Sequence, residues 1–116
     1  MKEFIISKKE FADRIQRLQS VIANENVDAV LVFSTESEPA GVRYFSDYWS
    51  SFESTAVLVP KTGDPILLIG PESMTFASSR SKIKKIIKMK DFRESSQPDY
   101  PGTTLMNWKE LLNDLN

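Results

Sequence analysis

Apolar positions recur at helical spacing most clearly near the start of the chain. Phe11, Ile15, Leu18 and Ile22 fall three or four residues apart, which puts them on one stripe of an α-helix. Ser7-Lys8-Lys9-Glu10 ahead of them has the capping-box pattern, in which serine and glutamate side chains satisfy backbone donors at a helix start. Ile6 and Phe11 stand where a hydrophobic staple sets the entry angle. Asn24-Glu25-Asn26 supplies the exit, because asparagine tolerates the left-handed backbone that ends helices. The pattern predicts a helix over 8–24.

Beyond it come short apolar runs. VDAVLVF, from Val27 to Phe33, reads as a strand buried on both faces. TAVLVP (55–60) and PILLI (65–69) read as two more strands, joined through Lys61-Thr62-Gly63-Asp64 with hairpin chemistry. Gly70-Pro71-Glu72 begins a second helix, with proline at its first position and an acid in its first turn. Met74, Phe76 and Ala77 give that helix a modest apolar face as far as Arg80. Ile83 to Met89 reads as a basic strand, closed by Phe92. The stretch RESSQPDYPGTT (93–104) is polar and proline-containing, hence a linker or external loop. Leu105, Trp108, Leu112 and Leu115 mark a last helix whose stripe runs to the end of the sequence, with Trp108 as an anchor packed on this domain or on a neighbouring one. Helix, strand, strand, strand, helix, strand, helix, with one hairpin, predicts an α/β fold: a mixed β-sheet flanked by helices.

One segment follows neither period. GVRYFSDYWSSF (41–52) packs five of the twelve aromatic residues into nine positions, interleaved with Ser, Asp and Arg. Tyr44 and Phe45 are expected in the core, just after the loop where the chain repacks on the sheet. Tyr48, Trp49 and Phe52 have polar neighbours, so some of them are expected to face outwards. Exposed Tyr and Trp concentrate at interaction hot spots, yet both are also good core fillers. The residues alone leave the two readings level.

Composition narrows the chemistry. A length of 116 residues suits a single domain. There is no cysteine and no histidine, which excludes disulfides, thiol catalysis and nucleophile–histidine triads, and removes the commonest transition-metal ligand. The four glycines are too scattered for a phosphate-cradling loop. Glu36 and Glu38 are a faint hint of a hard-metal site and read better as solvated loop carboxylates. No run approaches the roughly 20 apolar residues of a membrane span, and none resembles a signal peptide; a cytoplasmic location is expected. Net charge is −1, which opposes an electrostatic nucleic-acid binder. Arg80, Lys82, Lys84, Lys85, Lys88 and Lys90 form a basic run. It reads either as an anion-binding patch or, better, as lysines that keep an exposed strand edge from aggregating.

Four stretches together resemble the N-terminal domain of the creatinase and Xaa-Pro peptidase family, which includes aminopeptidase P and prolidase. They are RIQRLQSVIANENVDAVLVF, GVRYFSDYW, AVLVPKTGDPILLI and GPESMTFA, and they occur in that order. The resemblance implies a ribonuclease-H-like topology for 1–104, with 105–116 as a helix leading into a separate pita-bread catalytic domain. It places the catalytic residues and two divalent metal ions in that second domain, so this chain is expected to hold no catalytic residue, cofactor or metal. The implied partners are the chain's own C-terminal catalytic domain, a second copy in a homodimer and a peptide substrate; no nucleic acid and no membrane are implied. Tyr48, Trp49, Phe52 and Glu53 fall where the resemblance puts the substrate pocket or subunit interface.

The chain also departs from the family pattern. Gly41 stands for the usual asparagine, and Ser46-Asp47 for threonine-glycine. Creatinases follow this segment with Phe-x-Arg, whereas here Phe52 is followed by Ser54, which cannot form an arginine's bidentate clasp on a carboxylate. The expected parent is therefore an Xaa-Pro dipeptidase or aminopeptidase rather than a creatinase. The alternative is a stand-alone, inactive peptide- or protein-binding module of the same fold.

Overall fold

The computed structural model of the chain describes residues 5–50, 53–93 and 104–115. Phe52 and most of the polar 93–104 stretch lie outside the described residues.

Helix α1 runs over Lys8–Asn24, the span its stripe predicts. Ser7 Oγ accepts from the Glu10 N–H at 3.1 Å, while the Glu10 carboxylate turns instead to Arg14 and Arg17. Phe11, Ile15 and Ile22 are buried, and Leu18 packs on the same core half-buried. Asn26 takes the left-handed backbone, φ 56°, that carries the chain out of the helix.

Four strands follow: β1 (Ala29–Ser34), β2 (Thr55–Pro60), β3 (Ile66–Ile69) and β4 (Ile86–Lys88). They lie in the order β1-β2-β3-β4. The first two pairings are antiparallel and the third is parallel. The β2–β3 hairpin turns through Gly63 at φ 97°, a conformation side chains disfavour. The parallel pairing needs a crossover, supplied by a 3₁₀ turn (Pro71–Ser73) and helix α3 (Met74–Arg80). A mixed sheet flanked by helices is thus the observed fold.

Alternation along β2 and β3 divides the core in two. Val57, Val59, Leu67 and Ile69 face α1, α2 (Ala40–Ser46) and α3. Ala56, Leu58, Ile66 and Leu68 face Phe92 and helix α4 (Trp108–Asp114). Every residue of β3, and all of β2 except Pro60, is buried.

Three expectations need correction. β1 is not buried on both faces. It is an edge strand, and Leu31 and Phe33 remain 44% and 53% exposed on the face away from α1. The fourth strand is only Ile86–Lys88, so Arg80, Lys82, Lys84 and Lys85 precede it and are not lysines of a strand edge. The last helix starts at Trp108 rather than Leu105, and its buried residue is Leu111, whereas Leu112 and Leu115 are exposed. Asn107 fixes that start. Its side chain accepts from the Glu110 N–H at 2.8 Å while the Glu110 carboxylate accepts from the Asn107 N–H, a complete capping box. Trp108 does anchor the helix on this domain, edge-on to Phe92 at 5.7 Å.

Candidate functional site

The aromatic segment is a short helix followed by an irregular descent into β2. Asp47 ends α2 at φ 60°, its N–H donating to Arg43 O at 2.8 Å. Ser46 and Ser50 of the segment, with Ser34 at the end of β1, are buried and serve the backbone. Ser34 Oγ accepts from the Val42 N–H, Ser46 Oγ donates to Val42 O and accepts from the Tyr48 N–H, and Ser50 Oγ accepts from the Glu53 N–H. An irregular turn leaves backbone groups without ladder partners, and short hydroxyl side chains are the groups that reach them.

This scaffold presents Trp49 half-buried at the surface. The Arg43 guanidinium lies 4.4 Å from the ring centroid and the Arg80 guanidinium 4.8 Å. Phe76 meets the ring edge-on at 5.7 Å. Arg80 is itself held by Asp47, donating to its carbonyl at 3.1 Å and to Oδ1 at 3.5 Å. Two cations over an aromatic ring, one of them tethered, restrict the indole to one orientation.

Behind Trp49 the side chains are interior. Tyr48 has no exposed surface and stacks obliquely on Phe76 at 5.5 Å. Glu53 is 2% exposed and accepts a short hydrogen bond from Ser73 Oγ. Its other oxygen, Oε2, and the Tyr48 hydroxyl are buried without a hydrogen-bond partner among the described residues. Burial, and after it the neighbouring Glu72 carboxyl, push Glu53 up to about 8, while the Ser73 hydrogen bond pulls the other way. Burial likewise raises the Tyr48 hydroxyl. Gly70 lies against the Glu53 carboxyl and the Phe92 carbonyl, where a Cβ would collide with both.

Of the four residues singled out from the sequence, Trp49 is at the surface, Tyr48 and Glu53 are inside, and Phe52 lies outside the described residues. Tyr44, expected in the core, is 46% exposed under the Arg14 guanidinium, whereas Phe45 does pack against the core. The sequence reading missed Arg43, Asp47 and Arg80 as partners of Trp49. Arg43 and Asp47 sit one turn apart on α2 near the tryptophan, a readable signal. Arg80 and Ser73 come from a distant stretch, and nothing local marks them.

Among the described residues no three His, Cys, Asp or Glu side chains gather as a metal site. With neither His nor Cys in the sequence, the residues of this chain do not fit the two divalent ions that the resemblance implies. No described helix is long and apolar enough to cross a membrane.

Comparison with known proteins agrees with the geometry. A family model, the creatinase/prolidase N-terminal domain, matches residues 14–114. No curated protein gives a match. Among solved structures, the N-terminal domain of the cytoplasmic peptidase PepQ from Mycobacterium tuberculosis is 25% identical with a TM-score of 0.59, over 69% of this chain and 58% of that one. A proline dipeptidase from Streptococcus pneumoniae is 16% identical with a TM-score of 0.61, over 89% and 65%. A prolidase from Pyrococcus horikoshii is 18% identical with a TM-score of 0.57, over 67% of this chain but 20% of that protein. The chain thus spans less than two-thirds of each of these structures.

Proposed function

Because the chain belongs to the creatinase/prolidase N-terminal domain family, we propose that it is the non-catalytic N-terminal domain of an Xaa-Pro metallopeptidase. In this reading the segment carrying Trp49 shapes the substrate pocket and the subunit interface. The observation that carries it is the presentation of Trp49, a half-exposed indole held rigid between Arg43 and Arg80. A fixed aromatic contributes contact area to a partner without an ordering cost on binding. Tyr48 and Glu53 are positioning residues that hold the segment from behind.

Hydrolysis, and the two divalent ions that support it, belong to a separate catalytic domain. A homodimer would set Trp49 beside the active site of either subunit. The test compares the chain alone with the protein that joins it to a catalytic domain. Metal-dependent release of proline from Xaa-Pro peptides is expected only from the joined protein. Proline release by the chain alone, or its binding of manganese, cobalt or zinc at sub-micromolar affinity, would sink the reading.

A further inference from the structure

Arg80, Lys82, Lys84 and Lys85, displaced from the strand edge, line two adjoining surface clefts against α1. One, of about 500 Å³, is bordered by Lys8, Lys82, Lys84 and Lys85, with Asp64 as its one acidic lining residue. The other, of about 550 Å³, is bordered by Arg14, Arg43, Arg80 and Lys82 around Asp47. They share Phe11 and Lys82. In a chain of net charge −1, this is a strongly one-signed groove.

Its guanidinium groups are aimed in advance. Arg14 lies 4.2 Å from the Tyr44 ring centroid and 4.9 Å from that of Phe11, donates to Tyr44 O at 2.8 Å and is already paired with the Glu10 carboxylate at 3.2 Å, so it braces the wall of the groove. Arg43 stacks on Trp49 and has no carboxylate within ion-pair distance among the described residues. Arg80 and Lys82 share the one Asp47 carboxylate at 3.5 and 3.9 Å, contacts too long to saturate their donors. An apolar floor that includes Phe11, Ile15, Phe45 and Ile83 lies in the first cleft among its lysines, and Phe11 and Lys82 join it to the arginines of the second.

We propose that this groove binds an acidic peptide segment, its side-chain carboxylates on Arg43, Arg80 and Lys82 and its apolar residues on the floor. Planar guanidinium groups match carboxylates in bidentate geometry. A single-stranded nucleic acid would instead need open aromatic faces on which to stack. Here the Arg14 guanidinium already lies over the Tyr44 ring, and Trp49 lines neither cleft.

The test titrates the chain with a glutamate-rich hexapeptide, with its glutamine analogue and with an oligothymidylate of equal length, read by calorimetry at low and at physiological salt. The acidic peptide is expected to bind about tenfold or more tighter than the glutamine analogue, as charge-assisted hydrogen bonds require, and to weaken with salt. Arg43→Gln and Lys82→Gln should each weaken it several-fold, while Lys109→Gln on α4, across the sheet, should not. Should Arg43→Gln lower the thermal midpoint, Lys82→Gln decides, since its one ion pair is a long contact. Equal affinity for the two peptides, tighter binding of the oligothymidylate, or no effect of Lys82→Gln would overturn the proposal.

Discussion

Glu53 is the residue whose chemistry departs furthest from its sequence neighbourhood. A glutamate between Phe52 and Ser54 carries no local sign of burial, yet its carboxyl is buried against Ser73, Glu72 and Gly70. The folded state raises it from 4.5 to about 8, so between those values the folded protein holds a proton that the unfolded chain has released. Stability from this group is therefore complete below the unfolded value and falls as pH rises toward about 8. The slope approaches about 1.4 kcal/mol per pH unit. Urea unfolding from mildly acid to mildly alkaline pH should show that decline in the native chain and a nearly flat profile in Glu53→Gln. Equal profiles would show that Glu53 titrates normally. None of this was legible locally, because the groups beside the Glu53 carboxyl come from Gly70, Glu72 and Ser73. The serine hydroxyls were visible in the sequence but misread, since polarity was taken as exposure where backbone satisfaction was the role.

Elements were legible where one pattern had no rival. Helix α1 has a single apolar phase and a serine cap, and both of its bounds were readable. The last helix was read from the stripe Leu105-Trp108-Leu112-Leu115, and that spacing alone does not fix its phase. The Asn107–Glu110 capping box does, by starting the helix at Trp108 and turning Leu111 inward. Leu111→Ala should cost about 2–5 kcal/mol, as for a buried leucine that leaves a cavity. Leu112→Ala should change stability by less than about 0.5 kcal/mol, like an ordinary surface site. Denaturant midpoints at unchanged slope measure both, and a reversed order would place the helix in the other phase. β1 was misread for a different reason. An apolar run shows that a strand can be buried on both faces, but its place in the sheet decides whether it is, and that place depends on pairings between distant segments.

At the scale of the molecule, the class of fold followed from the order of elements, and one hairpin among crossovers required a mixed sheet. The functional reading rests on a smaller feature, an indole fixed by two arginines that α2 and α3 bring together. Its most direct test is steady-state kinetics on Xaa-Pro dipeptides and longer Xaa-Pro peptides, using the protein that joins this chain to its catalytic domain. The account predicts that Trp49→Ala shifts KM or the preference for peptide length, with metal content and thermal midpoint close to those of the native protein. Unchanged KM and length preference in a folded, metal-loaded variant would contradict it, and so would a variant that fails to fold because Trp49 is core.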